Sequence, residues 1–217
     1  EEDLGRRDFT INALAYEPFK RQIIDRYKGQ ADIKDKVVRA VGKPDDRFDE
    51  DPLRIMRGVR LATELGFMIN NETLEAMQRK ADLLGFIAKE RIRDEFSRII
   101  LSSNLMSGLI ILHKIGVLRQ FLPELEEGIH MKQNGDHIYD VWEHTLRVAQ
   151  HAADRDWPFH VRLGALFHDI GKPRTREWSK EKNDWTFYGH DVVGARMAGK
   201  IMGRLRFPGN ITETVVK

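Results

Sequence analysis

The most informative segment of this chain for its fold is residues 50–67, EDPLRIMRGVRLATELGF, which contains a helix with both of its end signals. Asp51 followed by Pro52 predicts the helix start, because Asp accepts hydrogen bonds from free backbone N–H groups and Pro suits the first helical position. Gly66 predicts the end. Between them an apolar stripe recurs at helical spacing, formed by Ile55, Met56, Val59, Ala62 and Leu65.

The helical pattern continues downstream of this segment. Further helices are predicted at 72–84, 89–102 and 104–115. The stretch from Pro123 to Gly135, rich in Glu, Gly and Asn, is predicted to be a domain boundary. Beyond it, three more helices are predicted at 138–154, 158–170 and 190–204. The last two helices are separated by a charged loop that contains Trp178, Trp185 and Tyr188.

The residues before Glu50 have a different pattern. Residues 8–16 predict a short helix that Asp8 caps, and the β-branched runs at 21–27 and 36–41 predict two short strands. The predicted fold class is therefore mostly α, with an α/β remnant that is too small to fold well alone. We divide the chain into residues 1–45 for this remnant, 46–128 for a helical neck and body, and 129–217 for a second helical domain.

Composition excludes several classes of protein. The 217 residues carry 36 basic and 34 acidic side chains, so any binding of phosphate must come from local clusters of charge. No apolar run reaches the ~18 residues that span a bilayer. The absence of cysteine excludes disulfides and thiolate metal sites. We therefore expect a soluble, cytoplasmic protein with no membrane partner.

Asp51 and Arg54 are three positions apart, so their side chains are neighbours on one face of the helix. An ionised carboxylate only accepts hydrogen bonds, and a guanidinium only donates them. Cytosine and adenine each present an amine beside a ring-nitrogen acceptor, whereas uracil and guanine present the reverse order. An adjacent Asp and Arg can therefore accept C and A and reject U and G without a template strand.

Arg57 and Arg60 follow Arg54 at three-residue steps and can neutralise a triphosphate that lies alongside the helix. Spacing alone favours a simpler interpretation, in which Asp51 only caps the helix and the arginines form a solvated face.

Four segments of the chain resemble, in order, motifs of the class II tRNA nucleotidyltransferases (CCA-adding enzymes) and their bacterial poly(A) polymerase relatives. These segments are RRDFTINALAY at 6–16, the spaced residues Asp25, Gly29, Asp32 and Arg39, the helix segment at 50–67, and ERIRDEF at 90–96. Four motifs in this order make coincidence a poor explanation. The resemblance therefore favours the functional interpretation of Asp51 and Arg54.

The resemblance implies that the remnant is the end of a nucleotidyltransferase head, and it implies a set of nucleotide-binding residues, namely Arg7, Asp8, Asp51, Arg54, Arg57 and Arg60. Asp51 and Arg54 would read the incoming base, and Asp8 would help to position the ribose or the neighbouring loop. The supporting residues would be Glu50, which orients Arg54, and three braces between neck helices, Glu90, Arg93 and Glu95.

Members of this family transfer nucleotides with two Mg²⁺ ions held by an Asp-x-Asp pair. We expect that pair upstream of Glu1 and therefore no catalytic residue within this chain. The chain starts without Met and stops without a helix cap, so we expect a fragment that is inactive by itself. Its remaining acidic cluster is predicted to be a solvated loop, formed by Asp45, Asp46 and Asp49.

A second candidate site lies in the C-terminal half. His144 is on a predicted helix, His168 and Asp169 follow in GALFHDIGKP at the last turn of another, and His190 comes later in YGHDVVGA. Imidazole and carboxylate are suitable ligands for a divalent transition metal that polarises water for attack on a phosphoester.

This pattern resembles the HD-domain phosphohydrolases. The resemblance implies an HD-type helical domain over 129–217, whose last metal-binding Asp would lie beyond Lys217. The alternative is a helical tRNA-binding appendage in which these residues are structural or vestigial.

Other polar residues of this half are less distinctive. A basic group interleaved with Trp178 and Trp185 can contact RNA phosphates and bases or can be an exposed loop; it consists of Lys172, Arg174, Arg176 and Lys180. The remaining histidines have no partner at ligand spacing and are expected to be ordinary surface or cap residues, namely His113, His130, His137, His151 and His160.

The sequence therefore predicts, for the full-length protein, template-independent addition of C and A to tRNA 3′ ends, with ATP and CTP as substrates and Mg²⁺ as cofactor. Two alternatives stay open. One is an A-adding enzyme or poly(A) polymerase of the same family, although the HD segment favours tRNA maturation. The other is an HD-type metal-dependent phosphohydrolase whose N-terminal half is only a scaffold.

Overall fold

A computed structural model describes residues 2–133, 135 and 138–217. Its helices are α1 (Glu2–Gly5), α2 (Gly29–Lys34), α3 (Pro44–Glu50), α4 (Leu53–Leu65), α5 (Asn71–Arg79), α6 (Lys89–Leu101), α7 (Leu105–Lys114), α8 (Pro123–Glu126), α9 (Val141–Asp154), α10 (Phe159–Phe167), α11 (Lys172–Thr175), α12 (His190–Arg204) and α13 (Gly209–Val216). Its strands are β1 (Leu14–Glu17), β2 (Gln22–Asp25), β3 (Val37–Val38), β4 (Met68–Ile69), β5 (Glu177–Ser179) and β6 (Asp184–Thr186). The predicted mostly α fold class is confirmed.

The helix predicted at 8–16 is wrong. Residues Thr10–Asn12 make one 3₁₀ turn, and β1 then pairs antiparallel with β2. Phe9 forms a bridge to Ala40 and is fully buried. Gly58 of α4 permits this burial, because a Cβ there would lie 2.7 Å from Phe9 Cζ. Contacts distant in the sequence therefore outweigh the local helical spacing.

The strand predicted at 21–27 corresponds to β2, and the strand predicted at 36–41 corresponds to the short β3. The β3 strand pairs in parallel with β4, which follows α4. The spaced motif stabilises this region: Asp25 accepts hydrogen bonds from the first N–H groups of α2, and Asp32 accepts from Thr10 Oγ1 and Arg39 Nε.

The neck is built around α4. Its predicted stripe is buried apart from Leu65, and Gly66 ends the helix in the left-handed region with φ 66°. Asp51 Oδ1 accepts the N–H of Leu53 at 3.1 Å, as expected of a residue at a helix start.

The acidic cluster predicted to be a solvated loop lies instead on α3. Asp45 pairs with Arg79 at 2.8 Å and Asp49 pairs with Lys80 at 2.7 Å, so two of its carboxylates connect α3 to the end of α5. The helix predicted at 72–84 ends at Arg79 and is followed by a 3₁₀ segment.

The C-terminal half contains α9 to α13 and one hairpin. The predicted helices at 138–154, 158–170 and 190–204 correspond to α9, α10 and α12, of which α10 ends at Phe167, before the predicted last turn. The predicted charged loop lies between α10 and α12. It contains α11 and an antiparallel hairpin, in which Trp178 of β5 pairs with Trp185 of β6. The closing helix α13 was not predicted.

One hydrophobic core runs through the described part of the chain, from Phe9 to Phe207. This core includes residues on both sides of the predicted boundary at 123–135. The division of the chain into three domains stays a prediction. No helix of the described residues combines the length and the apolar character required to cross a membrane.

Candidate functional sites

An open cleft of about 420 Å³ lies between the segment after α1 and the start of α4. Four arginines, two carboxylates and one amide line it, namely Arg6, Arg7, Arg54, Arg57, Asp8, Asp51 and Asn12. Guanidinium groups donate paired hydrogen bonds to phosphate and carboxylate oxygens, so this lining suits a polar anion. Arg6 and Asn12 were not singled out in the sequence, although both lie in the RRDFTINALAY motif.

Asp8 connects the two walls of the cleft. Its buried carboxylate oxygen Oδ2 is 2.7 Å from Arg57 Nη2 and 2.8 Å from Arg57 Nε. The other oxygen accepts hydrogen bonds from the N–H of Phe9 and from the Asn12 amide. The predicted helix cap at Asp8 is therefore wrong, and the residue instead fixes the Arg57 guanidinium in the cleft.

Arg54 is held at the cleft by acceptors on three sides. It donates to Glu50 Oε2 at 2.8 Å, to the Arg6 carbonyl at 3.0 Å and to the Arg47 carbonyl at 3.2 Å. The prediction that Glu50 orients Arg54 agrees with this contact. Arg7 lies at the rim, where it pairs with the exposed Asp3 at 2.7 Å.

Asp51 lines the same cleft but does not pair with Arg54. Its Oδ2 lies 2.9 Å from Nη2 of Arg91, a residue of α6. Arg91 was not singled out in the sequence, although it belongs to the ERIRDEF motif. The carboxylate and the guanidinium predicted to read a base thus share one cleft without neutralising each other.

Arg60 is not part of the cleft. It is buried and pairs with Glu95 of α6 at 2.6 Å and with Glu64 at 2.8 Å. Each three-residue step falls about 60° short of a full helical turn, so Arg60 lies about 120° around the helix from Arg54. The expectation that Arg60 neutralises a triphosphate is therefore wrong, and Glu95 braces α4 against α6 through it.

The other two predicted braces differ from expectation. Arg93 donates to the carbonyl oxygen of Arg206 and to Asp94, so it connects α6 to the C-terminal half and not to another neck helix. Glu90 is exposed in the first turn of α6, and among the described residues its side chain has no hydrogen bond or ion pair to another neck helix.

The C-terminal half brings the predicted metal-binding residues together. Ligand atoms of His144, His168 and Asp169 all lie within 4.8 Å of one another. Asp169 Oδ2 is 3.1 Å from His168 Nε2 and 3.4 Å from His144 Nε2, and Asp169 Oδ1 is 3.7 Å from His190 Nε2. Three histidines from three helical segments thus converge on the carboxylate of Asp169.

The carboxylate of Asp169 is buried yet charged. Burial alone would raise its pKa, but hydrogen bonds and the charges of His168 and Lys172 outweigh burial and hold the pKa well below its usual range. Burial lowers the pKa of His168, and the hydrogen bond and charge of Asp169 outweigh this effect and raise it.

This donor set fits a divalent metal ion. The Nδ1 atoms of His168 and His190 lie 2.7 Å and 2.8 Å from backbone carbonyls of Ala165 and Phe187, which leaves each Nε2 directed at the cluster. Asp169 Oδ2 is buried, and the Lys172 ammonium lies 2.7 Å from it, so one positive charge already faces this carboxylate.

Two of the histidines expected to be ordinary surface or cap residues have side-chain contacts. His113 Nδ1 lies 2.7 Å from Glu126 and its ring packs against Trp142, and the His151 ring meets Trp157 edge-on. His137 lies outside the described residues.

Three family models match consecutive parts of the chain. The poly(A) polymerase head domain matches residues 1–39, a probable RNA- and SrmB-binding site of polymerase A matches 66–129, and the HD domain matches 141–217. Along the chain, a part similar to the end of a poly(A) polymerase head is thus followed by a part similar to a probable RNA-binding site of polymerase A and by a part similar to the HD domain.

Known proteins agree with this class. The chain is 38% identical to an A-adding tRNA nucleotidyltransferase of Deinococcus radiodurans, over 96% of this chain and 49% of the relative. It is also 38% identical to a CC-adding tRNA nucleotidyltransferase of Thermus thermophilus, over 99% of this chain and 50% of the relative. A solved tRNA nucleotidyltransferase in complex with a primer tRNA and an incoming ATP analog matches with a TM-score of 0.65 and 25% identity, over 99% of this chain and 56% of that one.

The chain is therefore similar over almost its whole length to tRNA nucleotidyltransferases, and residues 141–217 match the HD domain. It spans about half the length of the curated relatives that it matches.

Proposed function

We propose that this protein adds C and A to tRNA 3′ ends and that the cleft at the start of α4 selects the incoming CTP or ATP. The observation that carries the proposal is that Asp51 and Arg54 line one arginine-rich cleft without pairing with each other. Asp51 would accept a hydrogen bond from the exocyclic amine, and Arg54 would donate to the ring nitrogen beside it.

The remaining residues of the cleft would hold the triphosphate. Arg57, fixed by Asp8, and Arg7 at the rim would neutralise phosphate oxygens. The reaction would be in-line attack of the tRNA 3′-hydroxyl, which loses its proton, on the α-phosphate, so that the new P–O bond forms as pyrophosphate leaves. Mg²⁺ ions would stabilise the attacking and leaving oxygens. The proposal assigns no catalytic carboxylate to these 217 residues, whose part is to bind and orient the nucleotide.

The helices of the neck would hold the tRNA by its backbone and shape. The match of residues 66–129 to an RNA-binding region supports this partner. The absence of cysteine fits the cytoplasmic location that the function implies.

The test is incorporation of each nucleotide into tRNA by the full-length protein. We expect Asp51→Ala and Arg54→Ala each to lower kcat/KM for CTP and ATP by about 10- to 100-fold and to admit UTP or GTP, because a lost base contact costs ~1–3 kcal/mol of discrimination. Arg98→Ala is the matched control, since Arg98 pairs with Glu64 outside the cleft. Incorporation that survives both substitutions would contradict the proposal, and addition of A alone would narrow it to an A-adding enzyme.

A second candidate function is metal-dependent phosphohydrolysis at the C-terminal cluster, favoured by the convergence of His144, His168, Asp169 and His190. These residues would hold a divalent ion that supplies an activated water. Calorimetric titration with Mn²⁺ or Ni²⁺ tests it: the chain should bind one ion, and Asp169→Asn should abolish binding. Unchanged binding of the ion in the Asp169→Asn variant would contradict this second candidate function.

A further inference from the structure

The contacts that hold Arg54 extend one layer behind the cleft, to Arg47 of α3. Arg47 Nη2 lies 2.6 Å from Glu50 Oε1, and Arg54 Nη1 lies 2.8 Å from Glu50 Oε2. One carboxylate thus receives two guanidinium groups, one on each oxygen. Arg47 is outside the lining of the cleft, so its side chain is placed to act on residues of the cleft and not on a ligand.

The same two guanidinium groups hold two consecutive backbone carbonyls in the opposite wall of the cleft. Arg47 Nη1 donates to the Gly5 carbonyl at 2.8 Å, and Arg54 Nη2 donates to the Arg6 carbonyl at 3.0 Å. These carbonyls follow α1, and the end of a helix leaves backbone oxygens without a partner inside the helix. A Cβ on Gly5 would lie 2.9 Å from Tyr27 Oη, so Tyr27 confines the segment as well. The backbone of this wall is therefore fixed by side chains from two elements.

The backbone of Arg47 contacts both predicted base-reading residues. Its carbonyl oxygen accepts from Arg54 Nη1 at 3.2 Å and from the N–H of Asp51 at 3.4 Å. The last turn of α3 is thus the support on which Asp51 and Arg54 are placed. A guanidinium has five N–H donors, and Arg54 uses three of them in bonds to Arg47, Glu50 and Arg6. The other donors are left for a base.

Arg47 is not placed to satisfy its own donors. Its side chain is 18% exposed, and its Nε is buried without a hydrogen-bond partner in the part of the chain that the structure describes. A buried donor that stays unpaired costs free energy. The contacts of Arg47 with Glu50 and with the Gly5 carbonyl therefore determine its position.

We propose that Arg47 is a positioning residue for base selection, a role that rests on the proposed function of the cleft. It holds two of the acceptors that orient Arg54. One is the Glu50 carboxylate, which it contacts directly, and the other is the Arg6 carbonyl, which it fixes through the neighbouring carbonyl of Gly5. Arg47 touches no nucleotide. Its loss leaves the Arg54 guanidinium in the cleft but lets its direction vary, so discrimination between bases falls.

The test is a double-mutant cycle in the full-length protein, read as the ratio of kcat/KM for CTP to kcat/KM for UTP. We expect Arg47→Met to lower this ratio about fivefold or more, within the discrimination that one base contact provides. In an Arg54→Ala background the same substitution should change the ratio by less than about twofold, because Arg47 acts through Arg54. Arg79→Met is the matched control, since Arg79 holds α3 through Asp45, outside the cleft, and should leave the ratio unchanged.

A second variant covers the case in which Arg47→Met does not fold. Arg47→Lys keeps the positive charge and most of the side-chain stem, so it should preserve the packing of α3. Its ammonium lacks the planar fork that donates to Gly5 and Glu50 from two nitrogens. The ratio for CTP over UTP should therefore fall in this variant as well.

The outcomes separate this inference from the proposed function. A ratio that Arg54→Ala does not change would contradict both. A ratio that Arg54→Ala lowers, but that no folded variant of Arg47 changes, would overturn the inference alone. An equal loss from Arg47→Met with and without Arg54→Ala would also overturn it, because the effect of Arg47 would then not pass through Arg54.

Discussion

Asp51 forms its salt bridge with Arg91 of α6, at 2.9 Å between Oδ2 and Nη2, and not with Arg54 of its own helix. Both partners are partly exposed, so the bridge contributes only about 0–1 kcal/mol. A nucleobase amine can therefore replace Arg91 as the partner of this oxygen at small cost. Arg91 thereby orients the carboxylate without blocking it.

This relationship predicts an effect of Arg91→Met on selectivity rather than on folding. Without its partner the Asp51 carboxylate samples other orientations, so the preference of the full-length protein for CTP over UTP should fall by up to about fivefold, which corresponds to the ~1 kcal/mol that such a bridge contributes at most. The measurement is the ratio of kcat/KM values. Arg98→Met, on the same helix, should leave the ratio unchanged; an equal ratio in both variants would show that Arg91 does not orient Asp51.

Arg60 is predicted to be structural. Its side chain is 6% exposed and Glu95 is 13% exposed, so Arg60→Met leaves a largely buried carboxylate unpaired and should lower the free energy of unfolding by about 3 kcal/mol. Denaturant unfolding measures this loss. Arg98→Met removes a 56% exposed partner of Glu64 and should cost about 0–1 kcal/mol.

A double variant completes the test of Arg60. Arg60→Met combined with Glu95→Leu should recover most of the stability, because an apolar pair can replace a buried ion pair. If Arg60→Met cost no more than Arg98→Met, the structural assignment of Arg60 would be wrong.

Arg162 of α10 is predicted to hold the C-terminal half to the neck. It is 2% exposed and donates to the carbonyls of Leu101 and Ser102, where α6 ends, and to the carbonyl of Trp157. Arg162→Met leaves these acceptors unsatisfied and should lower the free energy of unfolding by about 3–5 kcal/mol. Denaturant unfolding, with amide exchange at the end of α6, measures it. The exposed Arg155→Met is the control, and equal losses in the two variants would refute the assignment.

The contact between α8 and α12 predicts a dependence of stability on pH. Burial would raise the pKa of Glu124, but hydrogen bonds and the charge of Arg204 outweigh burial and lower it. A carboxyl with a depressed pKa in the folded state contributes stability above its unfolded pKa and loses that contribution as the pH falls through the folded value. The free energy of unfolding of the wild-type chain should therefore decrease as the pH falls below about 5. In the Arg204→Met variant this decrease should be smaller. Equal pH profiles would contradict the prediction.

Helix positions and site candidates were largely readable from the sequence. The segment 50–67 carries its own start, stripe and stop signals, and α4 has nearly those bounds. The convergence of His144, His168 and Asp169 was also predicted, because HD-type spacing places them on consecutive helices. Prediction failed where contacts distant in the sequence prevail: residues 8–16 have helical spacing, but burial of Phe9 against Gly58 and pairing of β1 with β2 impose a turn and a strand.

The sequence by itself determined the helical body, because helix signals are local spacing and end residues. It also supplied the candidates for base reading and metal binding, through side-chain chemistry and the resemblance to known motifs. Only the tertiary structure decided which partner each charge takes. It placed Arg91 on Asp51, and it directed Arg60 to Glu95 and away from the cleft. The physical reason is that an ion pair depends on distances of a few ångströms between side chains, which helix rotation and packing set and which sequence spacing does not.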